Sequence, residues 1–320
     1  MRIGLCYDLA ADWAAEGLDA EAAAEFDRIE TIDAIGALLA AHGHHVIRIG
    51  RAQALVRKLA DGMRWDLVFN ICEGLSGIGR EALVPALLDA YRVPYVFSDA
   101  EVLALALHKA HCKAVVRDAG LPTADFCVLE HPEQSCDLGW PVFVKPLAEG
   151  TGKGIGEASL CRTAAELASA ARHIIARFQQ PALAEVWLSG REFTVGVIGT
   201  GAGAEVLGVM EILSPAIYGF ATKKNYADVQ YRLVSDAEGS TAGRVALEAW
   251  RVLGGRDAGR IDLRSDAHGR PMFLEANPLA GLHPVDSDLT IIARLAGHDH
   301  ARLLTRILDA ACTRLGITWR

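Results

Sequence analysis

The chain has 320 residues, 51% apolar and 22% charged, with 32 Lys and Arg against 40 Asp and Glu for a net charge of −8. That composition excludes a disordered or coiled-coil chain, and the acidic balance argues against a nucleic-acid partner, although a local basic pocket can still hold one nucleotide. No apolar run approaches the roughly 20 residues that cross a bilayer, and the opening MRIGLCYDLA reads as a first strand, so a cytoplasmic protein with no membrane partner is expected. The seven cysteines, Cys6, Cys72, Cys112, Cys127, Cys136, Cys161 and Cys312, are scattered without a C-x-x-C pair, which predicts reduced, buried thiols.

Residues 3–7, 44–50 and 66–72 are short apolar runs bounded by polar residues or glycine, the pattern of buried parallel strands. Between the first two, Phe26, Ile29, Ile32, Ile35, Leu38 and Leu39 recur at helical spacing, with Gly43 beyond as a stop, so the chain starts as a βαβαβ unit. A helix over about 80–91 leads to VPYVFS at 93–98. One long Ala/Leu-rich helical stretch follows, ending at Gly120 and Pro122. From Phe126 the pattern turns to strands with hairpin character, FCVLE and PVFVKP, then the glycine-rich EGTGKGIG at 149–156, a helix near 163–178 and the strand ALAEVWL at 182–188. REFTVGVIGT and AEVLGVMEIL alternate as an antiparallel pair. A polar, aromatic-bearing loop at about 214–231 reads as a mobile flap. A helix at about 239–253, the hairpin GRIDLRSDAHGRPMFLEANP and two final helices complete the chain. The expected organisation is an α/β unit at 1–98 followed by α+β units at 99–186 and 187–320.

Glycines 150, 152, 154 and 156 let successive backbone N–H groups turn toward one anion. A flexible turn explains them equally well, and the spacing is neither a P-loop nor a dinucleotide fingerprint. In the last hairpin Asp262 lies on one strand and Glu275 and Asn277 on its partner, oxygen ligands suited to magnesium with substrate phosphates. Arg260, two residues from Asp262, shares its face and suits an oxyanion; a solvated face with ordinary ion pairs is the bland alternative. Lys109, Lys145 and Lys223 fall on three separate elements and together suggest a triphosphate clamp. Glu185 and Glu192 bracket VWLSG. The eleven histidines show no metal-ligand spacing, and only His283, two residues after Gly281, stands near the chemistry.

The ordered series VFNICEG, REALVPALLDAYRVPYVFSD, LALHKAHCK, AGLPTADF, WPVFVKPLAEGTGKGIG, ALAEVWLSGREFTVGV, GRIDLR and FLEANPLAGL resembles the ATP-grasp superfamily, and within it the D-alanine:D-alanine ligases, from about residue 66 onward. The resemblance implies a parallel-sheet domain followed by two α+β units enclosing ATP. It also implies two magnesium ions, replaceable by manganese, and a reaction in which a carboxylate becomes an acyl phosphate before an amine displaces phosphate. Small amino-acid-like substrates and a homodimer go with it; an intramolecular cyclo-ligase and a phosphotransferase are the alternatives. Carried onto this sequence, Lys109 and Lys145 contact phosphate, Glu149, Gly150 and Thr151 cover it, and Lys223 reaches the γ-phosphate. Glu185 takes the adenine amino group beside the backbone of Val186 and Leu188, and Glu192 takes the ribose. Asp262, Glu275 and Asn277 bind the metal, and Arg260 with the N–H of Gly281 holds the oxyanion. The family's amino-acid-binding segments are replaced. No residue of CYDLAADWAAEGLDAEAAAEF carries over, Glu73, Arg80 and Glu81 stand at the amino-acid site, and the acceptor-gripping serine falls on Asp286 or, with a loop one residue longer, on Ser287.

Overall fold

The computed structural model describes residues 1–214 and 229–319, so the flap lysine Lys223 lies outside the described residues, as does nearly all of the loop that carries it. The first sheet holds β1 (Arg2–Tyr7), β2 (His45–Gly50), β3 (Leu67–Ile71) and β4 (Tyr95–Val96), all parallel, in the order β2-β1-β3-β4. Leu67, Phe69 and Ile71 pack with Ile32, Ile35 and Leu39 of one helix, whereas Val68 packs on the opposite face with Leu55, Leu59 and Leu88. Burial on both faces is why the strand reads as an apolar run with only Asn70 breaking it.

Beyond this sheet the long helical stretch divides into α5 (Ala100–Leu107) and α6 (Lys109–Asp118), because His108 leaves the helical region at φ −83, ψ 86 and its ring caps the N–H of His111 at 3.2 Å. The break puts Lys109 at the start of α6, its backbone N–H 3.2 Å from the carbonyl of Leu147. The central sheet runs β5 (Phe126–Leu129), β8 (Ala182–Val186), β6 (Val142–Pro146), β7 (Leu160–Cys161), with α7 (Ala164–Phe178) against it. FCVLE and PVFVKP therefore do not form a hairpin, since β8 lies between them. That insertion sets Phe143 opposite Glu185 and Lys145 opposite Leu183, so Lys145 and Glu185 are diagonal neighbours on one face.

The last sheet is antiparallel, β11 (Gln230–Leu233), β10 (Glu205–Leu213), β9 (Glu192–Ile198), β12 (Ala258–Ser265) and β13 (Pro271–Asn277) in that spatial order. Phe193, Val195, Ile261 and Phe273 pack with Trp250 of α8 (Ala237–Val252). On the other face Ile198, Met210 and Ile212 join α9 (Asp288–Leu295), α10 (His300–Leu315) and the residues Ile3, Leu5 and Phe69 in one apolar cluster. The first and last units thus share a core. Buried Asp257 reinforces the join, accepting from the N–H of Phe97 at 2.7 Å and pairing with Arg314 at 2.7 Å.

One expectation about the cysteines fails. Cys127 on β5 and Cys136, nine residues on, form a disulfide, because the chain doubles back just after the strand. The other five are free and buried.

Candidate active site

Two cavities meet at the β12–β13 hairpin. The larger, about 230 Å³, is lined from the first unit, α5, α6 and the last sheet; the smaller, about 100 Å³, from the central and last sheets. Arg260 and Glu275 border both, while Gly150 and Thr151 face the larger and Gly152 the smaller. The glycine loop therefore runs along their shared edge, with Thr151, Gly152 and Gly154 in the left-handed region at φ 53, 70 and 71.

The smaller cavity brings together Lys145, Glu185, Val186, Leu188, Glu192 and Asp262. Glu185 is its buried centre. Its carboxylate meets Lys145 Nζ at 2.8 Å and Lys113 Nζ at 2.9 Å, and Lys113 also donates to the carbonyl of Phe273 at 3.3 Å. Burial alone would raise the Glu185 carboxyl, but the two ammonium groups outweigh it and hold it at about 2. Burial pulls Lys113 down; Lys145 is pulled down by burial too, yet Glu185 and Glu275 lift it above its ordinary value. Sequence pattern does not single out Lys113, although it sits one helical turn after Lys109, and a Lys with no exposure is rare. Glu192 pairs with Arg264 at 2.8 Å, and that guanidinium stacks 4.4 Å over the ring of Trp187.

On the hairpin, Asp262 and Glu275 are register partners and Arg260 faces Asn277. Arg260 Nη1 donates to Asp262 at 2.9 and 3.1 Å and to Asp288 at 2.9 Å; Thr194 Oγ1 donates to Asp262 at 3.0 Å and Asn277 Nδ2 at 3.2 Å. Lys109 Nζ lies 3.6 Å from Glu275 and donates to the carbonyl of Glu149. Asp288, at the start of α9, is a second support for Arg260 that no motif announces.

In the larger cavity lie Glu73, Glu81, Lys109 and, at the far wall, Gly281, Asp286 and Ser287. Ser287 Oγ accepts from the N–H of His283 at 2.9 Å, whereas Asp286 turns to Arg28 across the rim. Arg80 is not on the wall. It lies buried behind, donating to the carbonyl of Ala148 at 2.9 Å and to Glu25 at 2.9 Å.

Glu25 belongs to the segment without any recognisable motif, yet it is the hub of the glycine loop. It accepts the N–H of Gly150 at 2.6 Å and pairs with Lys153 at 3.1 Å. Burial opposes its ionisation, but Arg80 and Lys153 prevail and its carboxyl falls below the ordinary value. A Cβ on Gly150 would lie 2.6 Å from this carboxylate, so any larger residue there would have to push the Glu25 side chain aside. Glu149 is held by Gln180 at 2.7 Å and by Lys153, so its carboxylate anchors the loop.

Residues 115–309 match the family model described as D-ala D-ala ligase C-terminus. A D-alanine--D-alanine ligase of Alcanivorax borkumensis is 31% identical over 263 residues, covering 80% of this chain and 81% of that protein. The chain belongs to the D-alanine–D-alanine ligase family. The uncharacterized protein y4sG of Sinorhizobium fredii is likewise 31% identical, over 300 residues, 88% of this chain and 87% of the other. The D-alanine--D-alanine ligase of Bacillus anthracis complexed with ATP shares the fold, with a TM-score of 0.73 over 98% of both chains at 18% identity. As an ATP-grasp member of this ligase family, the protein is an ATP-dependent, ADP-forming enzyme that makes amide bonds. The ring-closing and phosphotransferase alternatives are not favoured by these ligase relatives. Among the described residues, no helix is long and apolar enough to cross a membrane.

Proposed function

We propose that this ligase couples the carboxylate of one small amino-acid-like substrate to the amine of another, with the nucleotide in the smaller cavity and the joining groups in the larger. The observation that carries the reading is the shared border: Arg260 and Glu275 line both spaces, so phosphate from one side and a carboxylate from the other can meet only at the hairpin. Bound ATP would supply the phosphoryl group that activates the donor, and magnesium would neutralise its charge. Two carboxylates and an amide, Asp262, Glu275 and Asn277, fit magnesium or manganese, hard ions that take oxygen ligands and leave positions for phosphate. Asn277 turns its nitrogen to Asp262, and a flip of the amide presents its oxygen instead.

Around these groups Lys109, Lys145 and the N–H groups at Gly150 and Thr151 would receive phosphate oxygens. Glu185, still paired with its two lysines, would read adenine with the backbone of Val186 and Leu188, and Glu192 would take the ribose by moving off Arg264. Arg260 and the N–H of Gly281 would hold the oxyanion. Lys223 keeps its proposed γ-phosphate role, as does a homodimer its place in the reading, and the need for ATP puts the reaction in the cytoplasm. Turnover should yield ADP and phosphate only with a carboxylate donor, an amine and a divalent cation, with a product lighter than the summed substrates by one water. Release of AMP and pyrophosphate would remove this mechanism.

The acceptor carboxylate is assigned to Ser287, because its hydroxyl proton is left to donate once the oxygen has accepted from His283, and because Arg28 balances Asp286. Asp286→Asn is expected to change the KM for D-alanine by less than about fivefold, the scale of a half-exposed ion pair, and to leave D-alanine preferred over D-alaninamide. A gain of about two decades for D-alanine would instead mean that Asp286 repels the acceptor.

A further inference from the structure

We infer that Asp288 is a positioning residue that couples metal loading at the nucleotide to assembly of the oxyanion site, by receiving Arg260 when Asp262 turns to magnesium. This deepens the ligase reading above and rests on it. Asp262 lines the smaller cavity and Asp288 the larger, while Arg260 lines both. One guanidinium nitrogen is divided between the two carboxylates: Arg260 Nη1 donates to Asp262 at 2.9 and 3.1 Å and to Asp288 at 2.9 Å. The side chains of Arg260, Asp262 and Asp288 are only 12%, 17% and 12% exposed, so water and salt screen these pairs little.

Both oxygens of Asp262 already carry donors. Oδ1 accepts from Thr194 and Arg260, and Oδ2 from Arg260 and Asn277. A hard cation needs those oxygens and is repelled by a guanidinium seated on them. Thr194 and Asn277 are neutral and give way by rotation of a hydroxyl or an amide. Arg260 carries a full charge, which is costly to move off its counter-ion unless another carboxylate receives it. Asp288 stands ready to do so, since it already accepts from the same nitrogen. Its place is fixed by the first turn of α9, where Leu289 and Ile292 are buried in the core that the first and last units share.

An order of events follows. Without nucleotide, Arg260 bridges a carboxylate of each cavity. Once Asp262 is drawn to magnesium and the phosphates, the guanidinium shifts onto Asp288, toward the space where the donor carboxylate and the acceptor amine meet. The oxyanion donor is thus presented after the phosphoryl group has been loaded. Removing the charge of Asp288 takes away the place to which Arg260 withdraws, so its hold on Asp262 competes directly with the metal.

The test measures binding of a non-hydrolysable ATP analogue to the whole protein by calorimetry at a series of fixed free magnesium concentrations, and reads the magnesium midpoint. The variants are Asp288→Asn, Asp288→Glu, and Arg260→Gln with and without Asp288→Asn. The midpoint is expected to rise by about tenfold in Asp288→Asn, the ordinary scale of coupling between two sites, and to return most of the way in Asp288→Glu. In the Arg260→Gln background the same Asp288→Asn change should move it by less than about threefold, because the group it acts through is gone. At saturating magnesium, phosphate release by Asp288→Asn should show kcat lower by about tenfold with the KM for ATP nearly unchanged, the pattern of an interaction made in the transition state. An unchanged midpoint in Asp288→Asn would overturn the inference and leave the ligase reading standing. So would an equal shift in both Arg260 backgrounds, which would mean that Asp288 acts on the metal directly. An Asp288→Asn protein that melts well below the wild type without ligands and loses analogue, metal and turnover together would overturn it as well, the signature of a structural role. If no substrate pair releases phosphate the ligase reading falls, while the midpoints still decide the coupling.

Discussion

Turnover is expected to fall by about three orders of magnitude in Asp262→Asn and in Glu275→Gln, the loss of about 4 kcal/mol of transition-state stabilisation that a misplaced metal entails. The two carboxylates face each other across the β12–β13 register, and neither belongs to an apolar cluster. The amide introduced in the first variant would still accept from Thr194, and the amide introduced in the second would still reach toward Lys109, so the hairpin keeps most of its hydrogen bonds. What disappears is negative charge at the border of the two cavities, where a divalent cation and the phosphates must be brought together. Arg260 retains Asp288 as a partner, which limits the damage to its placement. The melting temperature should therefore shift by only about 2–4 °C, the scale of a 1 kcal/mol change in a large domain. Steady-state ADP formation at saturating ATP, with circular dichroism melts of the same preparations, makes the measurement. Rates within tenfold of the wild type in both variants would remove the metal assignment.

The parts of this molecule that were legible in its sequence are those whose signal is local. The run at 66–72 declares a strand buried on both faces because Leu67, Val68, Phe69 and Ile71 of β3 all meet an apolar layer, and the last hairpin declares itself through polar residues set into apolar strands around a turn. The contact of Lys109 with Leu147 on another element, which follows the break at His108, is not local in this sense. Nor is the placing of β8 between β5 and β6, which no spacing rule encodes. In the site, motif order pointed to Asp262, Glu275 and Asn277, but Glu25, Lys113, Arg264 and Asp288 act through partners far along the chain. Glu25 reaches Gly150 over 125 positions and Arg264 reaches Glu192 over 72. Such residues look like ordinary surface charges until the fold buries them.

The largest effect on stability is expected at Glu185, whose replacement by Gln should destabilise the protein by about 3–5 kcal/mol, the usual result of removing one partner from a buried ionic cluster. Lys113 has no exposure and Lys145 almost none, so the two ammonium groups would be left facing each other without a counter-charge. The pH dependence gives the sign. The Glu185 carboxyl is depressed to about 2 from its ordinary value near 4.5, so its contribution is complete above pH 4.5 and is lost as the pH falls through about 2. Denaturant unfolding of the wild type should weaken over that window, and the Gln variant should lack this acid limb. At alkaline pH the gap between wild type and variant narrows, because burial already lowers Lys113 and its deprotonation relieves the repulsion in the variant. Nucleotide gives a second readout: Glu185 is also the group proposed to read adenine, so a non-hydrolysable ATP analogue should raise the melting temperature of Glu185→Gln less than that of the wild type. A destabilisation below about 1 kcal/mol, the scale of an exposed pair, together with an unchanged acid limb, would mean that Glu185 is not the counter-ion on which the two buried lysines depend.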